Sequence, residues 1–97
     1  MEFEWDERKR EANVVKHGLD FVNAPRIFAL PMLVVYDQRE DYSEDRWIGI
    51  GLLDGRVVVV VYNEPNENTI RIISLRKATT DERKRFERYL ADELGAG

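Results

Sequence analysis

The dipeptide Asp54-Gly55 stands between two apolar runs, Arg46 to Leu53 and Arg56 to Asn63, and constrains the fold more than any other feature of the chain. Asp-Gly suits the two-residue turn whose twist matches antiparallel strands, and so short a turn fixes the register on both sides. Counting outward pairs Leu53 with Arg56, Gly51 with Val58, Gly49 with Val60 and Trp47 with Tyr62 on one face. The other face pairs Leu52, Ile50 and Ile48 with Val57, Val59 and Val61. This second set is a continuous aliphatic wall and is expected to be the core side. On the first, Gly49 and Gly51 leave a shallow track, bordered by Trp47 and Tyr62, where a packed helix or a ligand can approach the backbone.

The flanking segments supply the remaining elements. Phe3 and Trp5 alternate with Glu2 and Glu4 as in a short strand, and Asp6 can cap a helix from about Glu7 to His17. Lys16 and His17 suit its negative end and Gly18 its left-handed stop. Phe21, Ala24, Ile27 and Phe28 recur at helical spacing, so a second helix should start around Val22 to Ala24, capped near Asp20 or Asn23 and ended by Pro31. Leu33 to Tyr36 reads as a strand, and the charged run Asp37 to Asp45 as a loop. A loop containing Pro65 leads to a strand from Thr69 to Leu75. Thr79 and Glu82 form a capping box, opening a helix whose apolar stripe is Phe86, Tyr89, Leu90 and Leu94, with Gly95 and Gly97 at a frayed end. The expected class is α+β: a short N-terminal strand, two N-terminal helices, an antiparallel meander of about four strands and a C-terminal helix.

At 97 residues, one domain over residues 1–97 is expected. The absence of Cys excludes a disulfide scaffold and a cysteine nucleophile, and one His cannot form a His-based metal cluster. The charged N-terminus is neither a signal peptide nor an anchor, and no stretch is apolar enough to span a bilayer, so a cytoplasmic protein without membrane contact is expected. Net charge is −4, yet unevenly spread: residues 1–68 carry 8 Lys+Arg against 14 Asp+Glu, residues 69–97 carry 7 against 5. Arg71, Arg76, Lys77, Arg83, Lys84, Arg85 and Arg88 can therefore make either a basic patch or a solvated helix face.

The ordered motifs Phe3-Glu4-Trp5-Asp6, Lys9, Asn13, Lys16-His17-Gly18, Phe21 and Ala24 resemble the opening of the BrnT family of bacterial type II toxins. The resemblance continues through Asp41-Tyr42, Glu44, Arg46, Gly49-Ile50-Gly51, Val59-Val60-Val61-Tyr62, Arg71-Ile72-Ile73-Ser74 and Arg76-Lys77-Ala78-Thr79. It implies a fold like that of the RelE ribonuclease toxins, cleavage of RNA with arrest of translation, and neutralisation by a BrnA-like antitoxin that also represses their operon. A toxin–antitoxin hetero-oligomer would then bind operator DNA through the antitoxin.

With no Cys and one His, the RNA chemistry that fits is attack of a ribose 2′-hydroxyl on the adjacent phosphate, needing neither metal nor cofactor. It requires a base, an acid and cations for the phosphate. His17 or Glu44 can be base or acid, Lys16 or Tyr62 can assist proton transfer, and Arg71 and Arg76 can clamp phosphate with planar donors. Arg46 and Lys77 are further substrate-binding candidates, and Trp47 or Tyr62 can stack a base. Each has a plainer reading: His17 as a helix cap, Trp47 and Tyr62 as a cross-strand pair, Glu44 as a solvated loop residue. Arg71 and Arg76 differ by an odd number, so a regular strand sends them to opposite faces and one of them is structural. Two rivals of other classes are a non-catalytic domain that receives a partner's helix on the Gly49/Gly51 track, and a nucleic-acid-binding module using the patch from Arg71 to Arg88.

Overall fold

Asp54 and Gly55 both take positive φ, 52° and 77°, as the two-residue turn requires. The structure, a computed structural model, describes residues 1–95. Around that turn β3 (Trp47–Leu53) and β4 (Arg56–Asn66) pair in the register counted from the sequence, from Leu53 with Arg56 out to Trp47 with Tyr62. The elements preceding them are β1 (Glu2–Trp5), α1 (Glu7–His17), a 3₁₀ turn at Phe21–Asn23, α2 (Ala24–Phe28) and β2 (Leu33–Tyr36). Those following are β5 (Thr69–Lys77) and α3 (Thr80–Gly95). The meander of β2 to β5 is antiparallel, and β1 joins its outer edge parallel to β5, giving one five-stranded sheet ordered β1-β5-β4-β3-β2.

Local chemistry explains the helix ends. The Asp6 carboxylate accepts from the backbone N–H groups of Arg8 and Lys9, and Gly18, at φ 69°, donates its N–H to the Val14 carbonyl. Asp20 caps the 3₁₀ turn through Val22 N–H. At α3, Thr79 N–H donates to Glu82 and Glu82 N–H donates to Thr79 Oγ1, the reciprocal box expected from the sequence.

Two irregularities depart from the sequence reading. β4 runs on past Asn63 through Pro65, where a loop was expected; a register shift between Asn63 and Asn66 accommodates a residue that cannot donate to the ladder. β5 carries a bulge: Tyr62 pairs with Ile72 and Val61 with Ser74, leaving Ile73 extra. The alternation of side chains therefore skips one residue, and Arg71 and Arg76 share a face with Val59, Val61 and Asn63. The expectation of opposite faces fails because the strand is not regular.

At the same place β5 changes its outer neighbour. β1 ends at Trp5 opposite Ile72, and α1 continues along the edge. The Asn13 amide, buried in α1, donates to the Leu75 carbonyl at 2.8 Å and accepts from the Leu75 N–H at 3.1 Å. One side chain makes the two bonds that a further strand residue would have made. Its amide nitrogen also reaches the Leu19 carbonyl, tying down the chain after α1.

The main core lies on the face where the glycine track was expected. Phe21, Ala24 and Ile27, all fully buried, pack there against Leu53, Val58, Val60, Tyr62, Ile70, Ile72 and Leu75. Phe3 and Trp5 join them by edge-on contacts to Phe28 and Phe21. The track is filled: a Cβ at Gly49 would meet Met32 Sδ at 2.6 Å, and one at Gly51 would meet Ile27 Cγ2 at 2.9 Å. The aliphatic wall forms a smaller second core, Ile50 and Val59 under Phe86 of α3, with Tyr89 and Leu90 beside it. Leu94, expected in that stripe, is exposed. Gly97 lies outside the described residues. Among those described, no helix is long and apolar enough to cross a membrane.

Asn13→Ala is expected to cost about 2–3 kcal/mol in urea denaturation, because both Leu75 backbone groups lose their buried partner. Gly51→Ala should destabilise by about 1–3 kcal/mol against the fully buried Ile27, and Gly49→Ala by less, since the flexible Met32 side chain can yield. Equal losses at the two glycines would mean that the track is not packed as described.

Candidate functional site

The sheet leaves one end of its α3 face uncovered by that helix, and the polar side chains converge there. One level beyond the Trp47/Tyr62 pair, the strands set Asp37, Arg46, Asn63, Arg71 and Glu4 in a row: Asp37 N–H donates to the Arg46 carbonyl, Asn63 pairs with Arg71, and Arg71 with Glu4. Arg71 Nε donates to Glu4 at 2.7 Å. Arg46 Nε donates to Glu44 at 3.0 Å, and its guanidinium lies 3.9 Å over the Tyr42 ring. Such stacking orients a planar cation while leaving its outer N–H groups available.

The loop from Asp37 to Arg46 is held by a buried charge. The Asp37 carboxylate, fully covered, accepts from Arg39 Nε, Nη2 and backbone N–H. The Arg39 hydrogen bonds outweigh desolvation and hold its pKa down at about 2. Glu44, three residues before β3, is also held below the usual carboxylate range, by the Ser43 hydroxyl and then by Arg46. It is ionised at neutral pH.

Beside this loop runs a groove. Lys9, Glu44, Arg46, Asn63, Pro65, Arg71 and Ile73 line a cleft of about 300 Å³, and Trp5, Asp6, Lys9, Arg71, Ile72 and Ile73 line one of about 310 Å³. The two share Lys9, Arg71 and Ile73, so they follow the bulge at the handover from β1 to α1. The Asp6 cap begins α1 there and Lys9 sits in its first turn.

The other sequence candidates lie elsewhere. Arg76 shares the face of Arg71, but its two terminal nitrogens grip Glu82 at 2.7 and 2.8 Å, and that carboxyl is held at about 2 chiefly by this bond. Arg76 therefore ties β5 to the start of α3. Lys16 and His17 close the far end of α1, eight residues or about 12 Å of helix from Lys9. Among the described residues, His17 makes no side-chain hydrogen bond. Tyr62 is buried in the main core, edge-on to Phe28, and burial pushes its phenol up to about 12. It can neither stack a base nor exchange a proton at neutral pH. Trp47 packs against the same core with its ring edge-on to Tyr36. Lys77 falls on the main-core face, beside Leu19, Leu53 and Arg56.

Sequence reasoning missed Lys9 and Asn63 as site residues. For Asn63 a signal existed: it continues the alternation of Val59 and Val61, so a polar side chain occupies a position otherwise aliphatic. For Lys9 there was none, since only the bulge and the end of β1 bring α1 to Arg71. Three cations around an ionised carboxylate on an open face can bind a phosphodiester and take a proton from a hydroxyl beside it.

The model of a family described as the ribonuclease toxin BrnT of type II toxin–antitoxin systems matches residues 5–82. A crystal structure of the ribonuclease toxin BrnT from Brucella abortus is similar at a TM-score of 0.67 and 29% identity, covering 82% of this chain and 99% of that one. A comparison with curated proteins finds no match. The matched segment contains the groove from Lys9 to Ile73 and ends at Glu82, with most of α3 beyond it.

The two depressed carboxyls give stability a defined acid limit. Asp37 and Glu82 have ordinary values of 3.8 and 4.5 and sit at about 2 in the fold. Their contribution is complete above the ordinary values and is lost as pH falls from about 4.5 towards 2. Urea midpoints should fall through that window, and Glu82→Gln should flatten the fall while costing on the order of 1–2 kcal/mol at neutrality. An unchanged acid profile in that variant would mean that the Arg76 pair contributes nothing.

Proposed function

Because the chain belongs to the BrnT family of ribonuclease toxins of type II toxin–antitoxin systems, we propose that it cleaves RNA in the groove at Lys9, Glu44, Arg46 and Arg71. The observation that carries this reading is an ionised carboxylate set among cations on the open sheet face, within the segment that the family model matches. The reaction is attack of a ribose 2′-hydroxyl on its own 3′-phosphate without metal, giving a 2′,3′-cyclic phosphate and a 5′-hydroxyl end. Glu44 accepts the hydroxyl proton. Arg46 and Arg71 neutralise charge on the phosphate, and Lys9 faces the leaving oxygen. The work of Arg71 as a phosphate ligand is supported by its free Nη1, since Nε and Nη2 serve Glu4.

In this reading Arg76 is structural, and His17, Lys16, Trp47, Tyr62 and Lys77 take no part in the chemistry. The toxin acts in the cytoplasm, arrests translation through RNA loss and shares the RelE-like arrangement of sheet and helices. Its partner is a BrnA-like antitoxin that carries operator DNA binding. A trough of about 590 Å³ between α3 and the hairpin tip suits that partner: Leu52, Val57 and Phe86 floor it, and Arg56, Lys77 and Arg83, the last paired with Glu87, rim it with a net positive charge that favours an acidic amphipathic segment. The Gly49/Gly51 track does not suit a partner, because Met32 and Ile27 already occupy it.

The test is cleavage of cellular RNA by the purified chain in the presence of chelator, with and without ribosomes. Cleavage leaving 5′-hydroxyl ends is expected, with Arg71→Ala and Glu44→Gln slower by about 10²-fold and His17→Ala within about 3-fold of wild type, each checked for folding. No cleavage, or full activity in folded Arg71→Ala, would overturn the reading.

A further inference from the structure

Arg39 presents an exposed guanidinium on a buried anchor. Its Nε and Nη2 donate to the two oxygens of Asp37 at 2.9 and 2.8 Å, and that carboxylate is fully covered while the Arg39 side chain is 60% exposed. Covering a carboxylate is costly, and a buried ion pair contributes little to stability beside an apolar pair of the same volume. What it supplies here is orientation. A planar cation gripped along one edge keeps little freedom, so it has little left to lose on meeting a ligand. Among the described residues, Arg39 Nη1 has no hydrogen-bond partner, and the outer end of the fork is open.

Its neighbours place this cation over the open sheet face, beside the groove. The Asp37 anchor stands opposite Arg46, to whose carbonyl its N–H donates. Tyr42, whose ring lies 3.9 Å beneath the Arg46 guanidinium, turns its hydroxyl toward Asp37 and Arg39 and helps to keep both charged. Arg76, on the same face as Arg71, feels the like charge of Arg39. Arg46 and Arg39 therefore flank one phenol ring, Arg46 at its face and Arg39 at its hydroxyl end. A ring between them keeps the two cations from sharing one phosphate, whereas a strand seated at Arg46 and Arg71 carries a further phosphate on either side. Arg39 stands on one of those sides. We propose that Arg39 Nη1 donates to the phosphate next to the one held by Arg46 and Arg71, so that the site grips two successive phosphates of one RNA strand. The inference rests on the reading of the groove as an RNA site and extends that site by one nucleotide.

The test uses a short oligonucleotide made uncleavable by 2′-fluoro sugars, together with versions of it that each carry a neutral methylphosphonate in place of one phosphate. Wild-type chain should lose about 5- to 20-fold in affinity at each of two neighbouring replacements. In Arg39→Gln, which keeps an amide donor for Asp37, one of these penalties should disappear while the other stays. The slope of log affinity against log salt on the unmodified strand should flatten by about 0.7. Asp37→Asn/Arg39→Gln, an uncharged pair, replaces the single variant if that one fails to fold. A single penalised position in wild type, penalties unchanged in a folded Arg39 variant, or penalties lowered equally at both positions, as a displaced loop would lower them, would overturn the role of Arg39 while leaving the groove reading intact. Failure of wild type to bind the unmodified strand would overturn the RNA site itself, and this inference with it.

Discussion

The outer edge of β5 must find hydrogen-bond partners along its whole length, and β1 is too short to supply them. β1 covers Thr69 to Ile72, and the Asn13 amide then serves both backbone groups of Leu75. Between these two partners lies Ile73, the extra residue of the bulge. Buried backbone groups need partners, so the Asn13 amide takes over where β1 ends, and the break in the β4–β5 ladder falls at the same place. The site follows from that junction. The bulge puts Arg71 and Arg76 on one face, and the start of α1 brings Lys9 beside Arg71.

Electrostatics explains how an acidic chain keeps a cationic groove. The arginines on this face are held by carboxylates: Arg71 by Glu4, Arg46 by Glu44, Arg76 by Glu82 and Arg39 by Asp37. These bonds fix planar cations without leaving a large uncompensated field. Where the pairing uses both terminal nitrogens, as at Arg76, the guanidinium has little left for a ligand; where it uses Nε alone, as at Arg46, the outer edge stays free. The net charge of −4 thus describes solubility and long-range attraction better than it describes the groove.

Much of the fold was legible because its signals are local. The Asp-Gly turn, the Asp6 cap, the Gly18 stop and the Thr79/Glu82 box each act within a few residues, and each occurs as the sequence indicates. The site was legible only in part. Glu44, Arg46 and Arg71 were among the candidates and do converge, whereas Tyr62 was drawn into the core and His17 stays at the other end of α1. Aromatic and imidazole groups serve packing and capping as readily as chemistry, and residue type alone does not separate these uses.

The sequence by itself determined the hairpin register, the helix boundaries and the class of fold, since turn chemistry, capping and side-chain periodicity are written into neighbouring residues. Tertiary structure decided which face of the hairpin carries the main core. The sequence pattern assigns the core to the aliphatic wall, yet the main core formed on the glycine face because Ile27 and Met32 fit against a backbone without side chains. It also decided the composition of the groove. The bulge at Ile73 lies where β5 passes from β1 to Asn13 as its outer neighbour, and no window of β5 contains either of those distant segments.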